Sequence, residues 1–280
     1  MNYRHAFHAG NHADVLKHIV LVLCLEYMTR KAGPISVFDA HAGRGLYDLT
    51  SEEAQRSPEW QNGAARVFDW PDAPPALAPF QQALRRLNAQ DLRVYPGSPW
   101  LAAWALRPQD SLSLCELHPQ DCLALRRVIA PDGQSLQRRA DVHERDAYEA
   151  LRALLPLPHK RALILIDPPY ERSDDFQAAA KALRQGLQRV RQGVFLWWRP
   201  LKDAGQVDRS DGEVQAEGQF PFLRVDLAVR SAMLPGLGAS SLLILNPPYP
   251  LEGQLTGLLP ALCARLAQGP GASWHISRSG

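Results

Sequence analysis

The sequence predicts an α/β fold built on a mostly parallel, doubly wound sheet, and three observations carry that expectation. Apolar runs short enough for buried strands alternate with longer stretches of helical periodicity. The run Ile35 to Asp39 leads into a turn of small residues, His41-Ala42-Gly43-Arg44-Gly45. Two later apolar runs deliver acidic residues at their ends, Glu116 and Asp167, where open α/β sheets bind their ligands. A chain of 280 residues fits one large domain, or one domain with an insertion.

Residues 12–31 read as the first helix. Asn11 is placed to cap it and Asp14 falls in its first turn, while Ala13, Leu16, Val20, Leu23 and Tyr27 keep helical spacing up to Gly33-Pro34. The strand 35–39 and its glycine turn follow. Residues 46–97 break the alternation: they are polar and rich in proline, with helical stretches near 59–68 and 77–88, and they read as an inserted helical subdomain. The main domain is then 1–45 with 98–280. Ser98 to Leu106 is helical, with Pro99 in its first turn. The strand 111–117 presents Glu116 far later than the roughly 20 residues usual after a glycine turn, as an insertion between the first two strands requires.

Beyond it the alternation is regular. A helix covers about 119–130, a weak strand near 137–142 leads to Asp146, and a helix runs to Leu155. The Asp167 strand precedes a helix at about 174–191. Strands follow at 194–198, at 222–230 with a solvent-facing alternation, and at 241–245. A last helix at 251–267 leaves a frayed tail. No internal repeat is visible.

Composition sets bounds. No stretch approaches the roughly 20 apolar residues of a membrane span, and the start lacks the form of a signal peptide. The four cysteines lack Cys-x-x-Cys spacing, and those at 24, 115 and 263 sit in apolar segments. The chain is expected to be cytoplasmic, metal-free and monomeric. Five of the nine histidines fall within the first 41 residues, but without ligand spacing to carboxylates or thiols. Hydrogen bonding around a pocket explains them better than a metal, and His8 or His12 need only stabilise the N-terminal turn. Net charge is +2, with 26 Arg among the 31 basic residues. Arginine suits phosphate contacts, though a GC-rich coding genome favours it equally. Doublets at 126–127, 138–139 and 160–161 would line a phosphate track or only solvate surfaces.

The chemistry concentrates in Asp167-Pro168-Pro169-Tyr170, directly after Leu163-Ile164-Leu165-Ile166. The Asp167 carboxylate and the Pro168 carbonyl make two acceptors for one NH₂, and Tyr170 gives a ring to stack on its carrier. Such a pair stabilises charge developing on an exocyclic amine as it takes up a methyl group. A bland alternative is a strand terminated by prolines. A second copy, Asn246-Pro247-Pro248-Tyr249, follows Leu242-Leu243-Ile244-Leu245. Chain order favours Asp167 as the working copy and leaves the second as a turn. Trp197-Trp198 ends a buried strand and reads as core before it reads as a base-stacking platform.

These residues together are similar to a known family, the bacterial 23S ribosomal RNA adenine-N6 methyltransferases called RlmJ. The likeness rests on Tyr3 to His18, Asp39-Ala40-His41-Ala42-Gly43, Tyr95-Pro96-Gly97-Ser98-Pro99, Glu116-Leu117-His118-Pro119 and Leu163 to Tyr170. The resemblance implies a class I Rossmann-like methyltransferase with a seven-stranded sheet, S-adenosylmethionine as methyl donor, S-adenosylhomocysteine as product and 23S ribosomal RNA as partner. It implies cofactor contacts from Lys17, His18, His41, Ser98, Glu116, Asp146 and Asp167. Catalysis would fall to Asp167, Pro168 and Tyr170, and Tyr3 would touch the RNA. The chain departs from the family at Asp146-Ala147, where Asp-Gly is common, and the polar stretch 203–219 does not align. Methylation of DNA adenine or protein glutamine, or RNA binding without catalysis, are the alternatives.

Overall fold

The computed structural model describes residues 4–129 and 140–279, apart from 217, 219 and 233. Strands β1 (Ser36–Asp39), β4 (Ser111–Cys115), β5 (Ala140–His143), β6 (Ala162–Ile166), β7 (Val194–Pro200), β8 (Phe222–Ala228), β9 (Ala239–Leu245) and β10 (Ser273–Arg278) form one sheet; β2 (Leu46–Asp48) and β3 (Val94–Pro96) form a separate antiparallel ribbon. The sheet order is β10-β8-β9-β7-β6-β1-β4-β5. β5, β4, β1, β6 and β7 are mutually parallel, whereas β9 runs antiparallel to both β7 and β8. The chain goes outward from β1 to β4 and β5, then returns to the other side of β1 for β6 and β7. That reversal opens a crevice at the carboxyl ends of β1 and β6.

Side-chain alternation divides the interior in two, because successive strand residues face opposite sides. Val37, Leu112, Leu163, Leu165 and Leu196 join a cluster with helices α1 (His12–Thr29), α5 (Ser98–Ala105) and α10 (Leu251–Leu266). Phe38, Ile164, Ile166, Phe195 and Trp197 join the opposite cluster with α7 (Ala147–Leu154) and α8 (Asp175–Arg189). β1, β6 and β9 are buried along their whole length; β6 is apolar throughout, while β1 and β9 also bury Ser36, Asp39, Ser240 and Ser241.

Helix α1 begins where the sequence places it: the Asn11 side chain accepts from the Asp14 amide at 2.9 Å. It is buried on nearly every side, because residues 46–97 cover the face that a surface helix would give to water. Two guanidiniums cap its far end, Arg161 on the Met28 carbonyl and Arg107 on those of Thr29 and Lys31. Arg161 therefore has a structural task, and the Arg138-Arg139 doublet lies outside the described residues.

Segment 46–97 leaves and returns through the β2–β3 ribbon and carries α2 (Glu52–Arg56), α3 (Ala64–Phe68) and α4 (Ala78–Leu87). Val67, Phe80 and Leu84 belong to the same apolar cluster as α1. The contact with the N-terminal segment is close: Ala64 N–H donates to the Gly10 carbonyl at 2.8 Å, and a Cβ at Gly63 would stand 2.1 Å from that same oxygen.

The expected frayed tail and seven-stranded sheet are both corrected. The tail is not frayed but forms β10, paired antiparallel to β8, so the sheet has eight strands rather than seven and β8 is not its edge. Its sequence, Ser273-Trp274-His275-Ile276-Ser277-Arg278, lacks a strong apolar alternation; backbone pairing holds it at a largely exposed edge. The polar stretch 203–219 contains α9 (Ala204–Gln215), capped by Asp203 on the Gly205 amide. Few apolar residues mark this helix, because ion pairs tie it down: fully buried Arg199 to Asp211, and Arg224 to Asp208 and Asp211. No helix among the described residues is long and apolar enough to cross a membrane.

Candidate active site

The crevice at the switch point opens into a cavity of about 660 Å³, within the range of small-molecule sites. Lys17, His18, His41, Ser98, Glu116, Asp146, Asp167, Pro168 and Tyr170 all line it. They come from α1, from the ends of β1, β4, β5 and β6, and from the first residue of α5. Tyr3 lies outside the described residues. Among the described residues no group of three metal-ligating side chains converges.

The glycine turn after β1 is shaped by contact. Gly43 adopts φ +64°, and a Cβ there would meet the Tyr47 hydroxyl at 2.3 Å. Its amide donates to Glu116 Oε2 at 2.8 Å, and the His118 amide donates to Oε1 at 2.7 Å. Burial raises the Glu116 pKa, and these two amides oppose the shift. Asp146 caps α7 with one oxygen, Oδ1, which accepts from the amides of Tyr148 and Glu149. Ser98 faces Asp39, a buried carboxyl that burial pushes up to about 6 although the Ser98 hydroxyl and the His41 amide pull it down.

His18 and His41 are held neutral, chiefly by burial, with pKa values lowered to about 3 and about 4. The Tyr95 hydroxyl lies 2.7 Å from His18 Nδ1, while its Nε2 is buried without a protein partner. His41 Nδ1 accepts from the Asp167 amide at 3.2 Å, which places its ring hydrogen on Nε2. That contact ties the turn after β1 to the end of β6.

Asp167 pairs through Oδ2 with the ammonium of Lys17, which also binds Asp14 Oδ1 at 2.9 Å. Burial opposes the charge on Lys17, yet Asp14 and Asp167 outweigh it and raise its pKa. Tyr170 sits at φ +53°, a conformation that costs an aromatic residue on the order of 1–2 kcal/mol. Its hydroxyl offsets the strain: it donates to the Trp198 carbonyl at 2.7 Å and accepts from Trp197 Nε1 at 2.9 Å. The ring also meets Phe176 and Trp198. Trp197 is core, as expected, while Trp198 reaches the cavity wall.

The N-terminal histidines also act through hydrogen bonds. His5 Nε2 lies 2.9 Å from Asp14, and His8 Nδ1 lies 2.9 Å from Glu59, which also accepts from Asn11. Sequence reasoning missed Asp14, Tyr47, Glu59, Tyr95 and Tyr148 as cavity or support residues. Asp14 had a readable signal in its i,i+3 spacing from Lys17. Glu59 had none, since its partners lie about 50 positions away in the chain.

Known proteins bear on this geometry. The family model RsmJ, described as Ribosomal RNA large subunit methyltransferase D, RlmJ, matches residues 32–277. The ribosomal RNA large subunit methyltransferase J of Escherichia coli is 40% identical over 285 residues, which span 100% of this chain and 98% of that protein. Its namesake in Haemophilus influenzae is 38% identical, spanning 99% and 98%. The crystal structure of protein LPL1258 from Legionella pneumophila superposes with a TM-score of 0.88 at 31% identity, covering 98% of this chain and 99% of that one. The Rossmann-like sheet, the cavity at its switch point and these full-length similarities lead to one assignment: the chain belongs to the RsmJ family, described as Ribosomal RNA large subunit methyltransferase D, RlmJ.

Proposed function

We propose that the protein transfers a methyl group from S-adenosylmethionine to the exocyclic N6 of one adenine in 23S ribosomal RNA. The observation that carries this reading is the position of Asp167-Pro168-Pro169-Tyr170 on the wall of the switch-point cavity, with its tyrosine ring locked by two hydrogen bonds. Segment 46–97 is read as an inserted unit that covers α1 and supports the cavity from one side.

The residues present fit the cofactor. Glu116 is aimed by two amides and suits ribose hydroxyls, Gly43 leaves backbone where a side chain would collide, and His18 Nε2 is a buried polar atom in need of a partner. His41, Ser98 and Asp146 complete the contact set around it. S-adenosylmethionine, when bound, supplies an electrophilic methyl group and leaves as S-adenosylhomocysteine.

The target base must leave its stack to reach the cavity. Tyr170 gives it a ring to stack on. Lys17 holds Asp167 Oδ2, so Oδ1 and the Pro168 carbonyl receive the two hydrogens of N6. As the carbon–nitrogen bond forms, the charge on nitrogen develops against these acceptors, and one N6 proton passes to Asp167 Oδ1 and then to water. Positioning supplies much of the rate. Tyr3 is assigned to the RNA.

The test is incubation with labelled S-adenosylmethionine and three substrates: deproteinised 23S RNA lacking the modification, intact large subunits, and duplex DNA. Label recovered as N6-methyladenine in RNA, and absent with Asp167→Asn, is the expected result. Label on DNA or protein alone overturns the substrate and leaves amine methylation standing.

A further inference from the structure

Asp14 is the most deeply buried carboxylate at the cavity, 1% exposed, and the mechanism above gives it no task. It lies one helical turn before Lys17 on α1, so both side chains share a face. Its Oδ2 accepts from the Gly10 amide at 2.8 Å and lies 2.9 Å from His5 Nε2; its Oδ1 takes the Lys17 ammonium at 2.9 Å. Lys17, itself 6% exposed at the side chain, directs its other contact at Asp167 Oδ2. A continuous polar chain thus runs His5–Asp14–Lys17–Asp167, from the N-terminal segment to the carboxylate that grips the substrate. A lysine on its flexible stem has many rotamers, and only a second fixed anion makes one of them dominant.

We infer that Asp14 is a positioning residue for methyl transfer: it fixes the Lys17 ammonium against Asp167 Oδ2, so that Oδ1 stays turned toward the substrate amine. The inference rests on the reading of Asp167 as the acceptor of that amine. Its consequence is specific: Asp14 acts on the transfer step through Lys17, not on cofactor binding and not through the fold at large.

Single-turnover methyl transfer to a 23S RNA transcript, together with S-adenosylmethionine affinity by calorimetry, tests it on Asp14→Asn, Lys17→Met, the double variant and Asp167→Asn. Asp14→Asn keeps the shape but removes the charge and leaves one acceptor oxygen for two donors, the Lys17 ammonium and the Gly10 amide. It is expected to slow transfer on the order of 100-fold, the scale of a misplaced catalytic group, with cofactor affinity unchanged. In the Lys17→Met background the same substitution is expected to change nothing further, since the group it positions is gone. A full rate in Asp14→Asn, or a further loss in the Lys17→Met background, overturns the inference. If Asp14→Asn does not fold, Lys17→Met alone decides it: a full transfer rate there overturns the inference, because the ammonium that Asp14 fixes would then have no part in transfer. Asp167→Asn separates the two claims. If it transfers at full rate, the reading of Asp167 falls and takes this inference with it; if it is inactive while Asp14→Asn is not, only the role of Asp14 falls.

Discussion

The chain carries the same four-residue pattern twice, and the two copies lie at opposite edges of one sheet. β6 runs with its parallel neighbours, so Asp167 emerges at the carboxyl edge, on the cavity. β9 runs against β7, and Leu245 pairs with Phe195 near the start of that strand. Asn246 therefore emerges at the far edge. There its Nδ2 donates to the carbonyls of Arg191 and Gly193 at 2.9 and 2.8 Å, and the Pro248 carbonyl accepts from Leu251 at the start of α10. Both copies contain a residue in the left-handed region, Tyr170 at +53° and Asn246 at +51°. Asparagine tolerates that conformation and tyrosine does not, so the strain sits only in the copy at the cavity. The left-handed residue is the last of one copy and the first of the other, so the two share a sequence pattern and not a backbone shape, and strand direction determines which of them meets the cavity.

Exchanging the leading residues of the two copies should produce the largest difference between them. Asp167→Asn is expected to lower the transfer rate on the order of 10²–10³-fold while cofactor affinity survives, because a carboxamide presents only one acceptor atom and cannot take the proton. Asn246→Asp should leave the rate intact. A transfer assay that finds the reverse sensitivity would sink the assignment of roles. Glu116→Ala separates binding from transfer: calorimetry should show weaker S-adenosylmethionine binding, by roughly 10-fold for each charge-assisted hydrogen bond proposed between the carboxylate and the ribose.

At the far edge the effect should fall on stability. Asn246→Ala leaves the Arg191 and Gly193 carbonyls without their donor and removes a residue suited to positive φ, so it should cost about 1–3 kcal/mol in urea unfolding. Full kcat in the folded fraction is part of the expectation. Unchanged stability would mean that the turn is held by Pro247 and Pro248 alone.

Buried histidines set how the fold responds to acid. His12, His18 and His41, near the carboxyl edge, are held neutral by burial at pKa values of about 4, 3 and 4. Unfolding lets each bind a proton below its ordinary value near 6.5, so stability rises with pH from about 4 to 6.5 and is lost on acidification across that window. Asp39 opposes them with a pKa raised to about 6, since it holds a proton when folded that it releases when unfolded. Glu116, raised by burial, opposes them in the same sense, while Asp14, which His5 and Lys17 hold low against burial, acts with the three histidines, and the net slope is destabilising toward acid. Urea unfolding at pH 6.5, 5 and 4 should show it, and His41→Gln should flatten it. A slope that persists in full would exclude His41 as a contributor.

What was legible in the sequence was whatever depended on neighbours in the chain. The helix starting at Asn11, the glycine turn, and the acidic ends of β4 and β6 all follow from local caps, periodicity and apolar runs. Chain order also pointed to Asp167 rather than Asn246, and only Asp167 lines the cavity. The eighth strand was hidden because β10 is held by pairing with β8 rather than by an apolar face of its own. Helix α9 was hidden because ion pairs to Arg199 and Arg224, on the strands before and after it, hold it in place of an apolar face. The support of the site was hidden by distance: Glu59 meets His8 and Asn11, and Tyr95 meets His18, across long stretches of chain.

The smallest expected effect tests the last position of each copy. Tyr249 is 93% exposed, so Tyr249→Phe should stay within about 0.5 kcal/mol of the parent in stability and leave transfer unchanged. Tyr170→Phe removes a hydroxyl that receives the Trp197 indole N–H and donates to the Trp198 carbonyl, both in the interior. An unpartnered indole N–H there costs about 1–3 kcal/mol, and the ring, still at positive φ, loses what holds it upright against the cavity. Thermal unfolding of the two variants side by side gives the difference directly. Equal losses would mean that the Tyr170 hydroxyl does not anchor its ring, and the strain at +53° would then need another support.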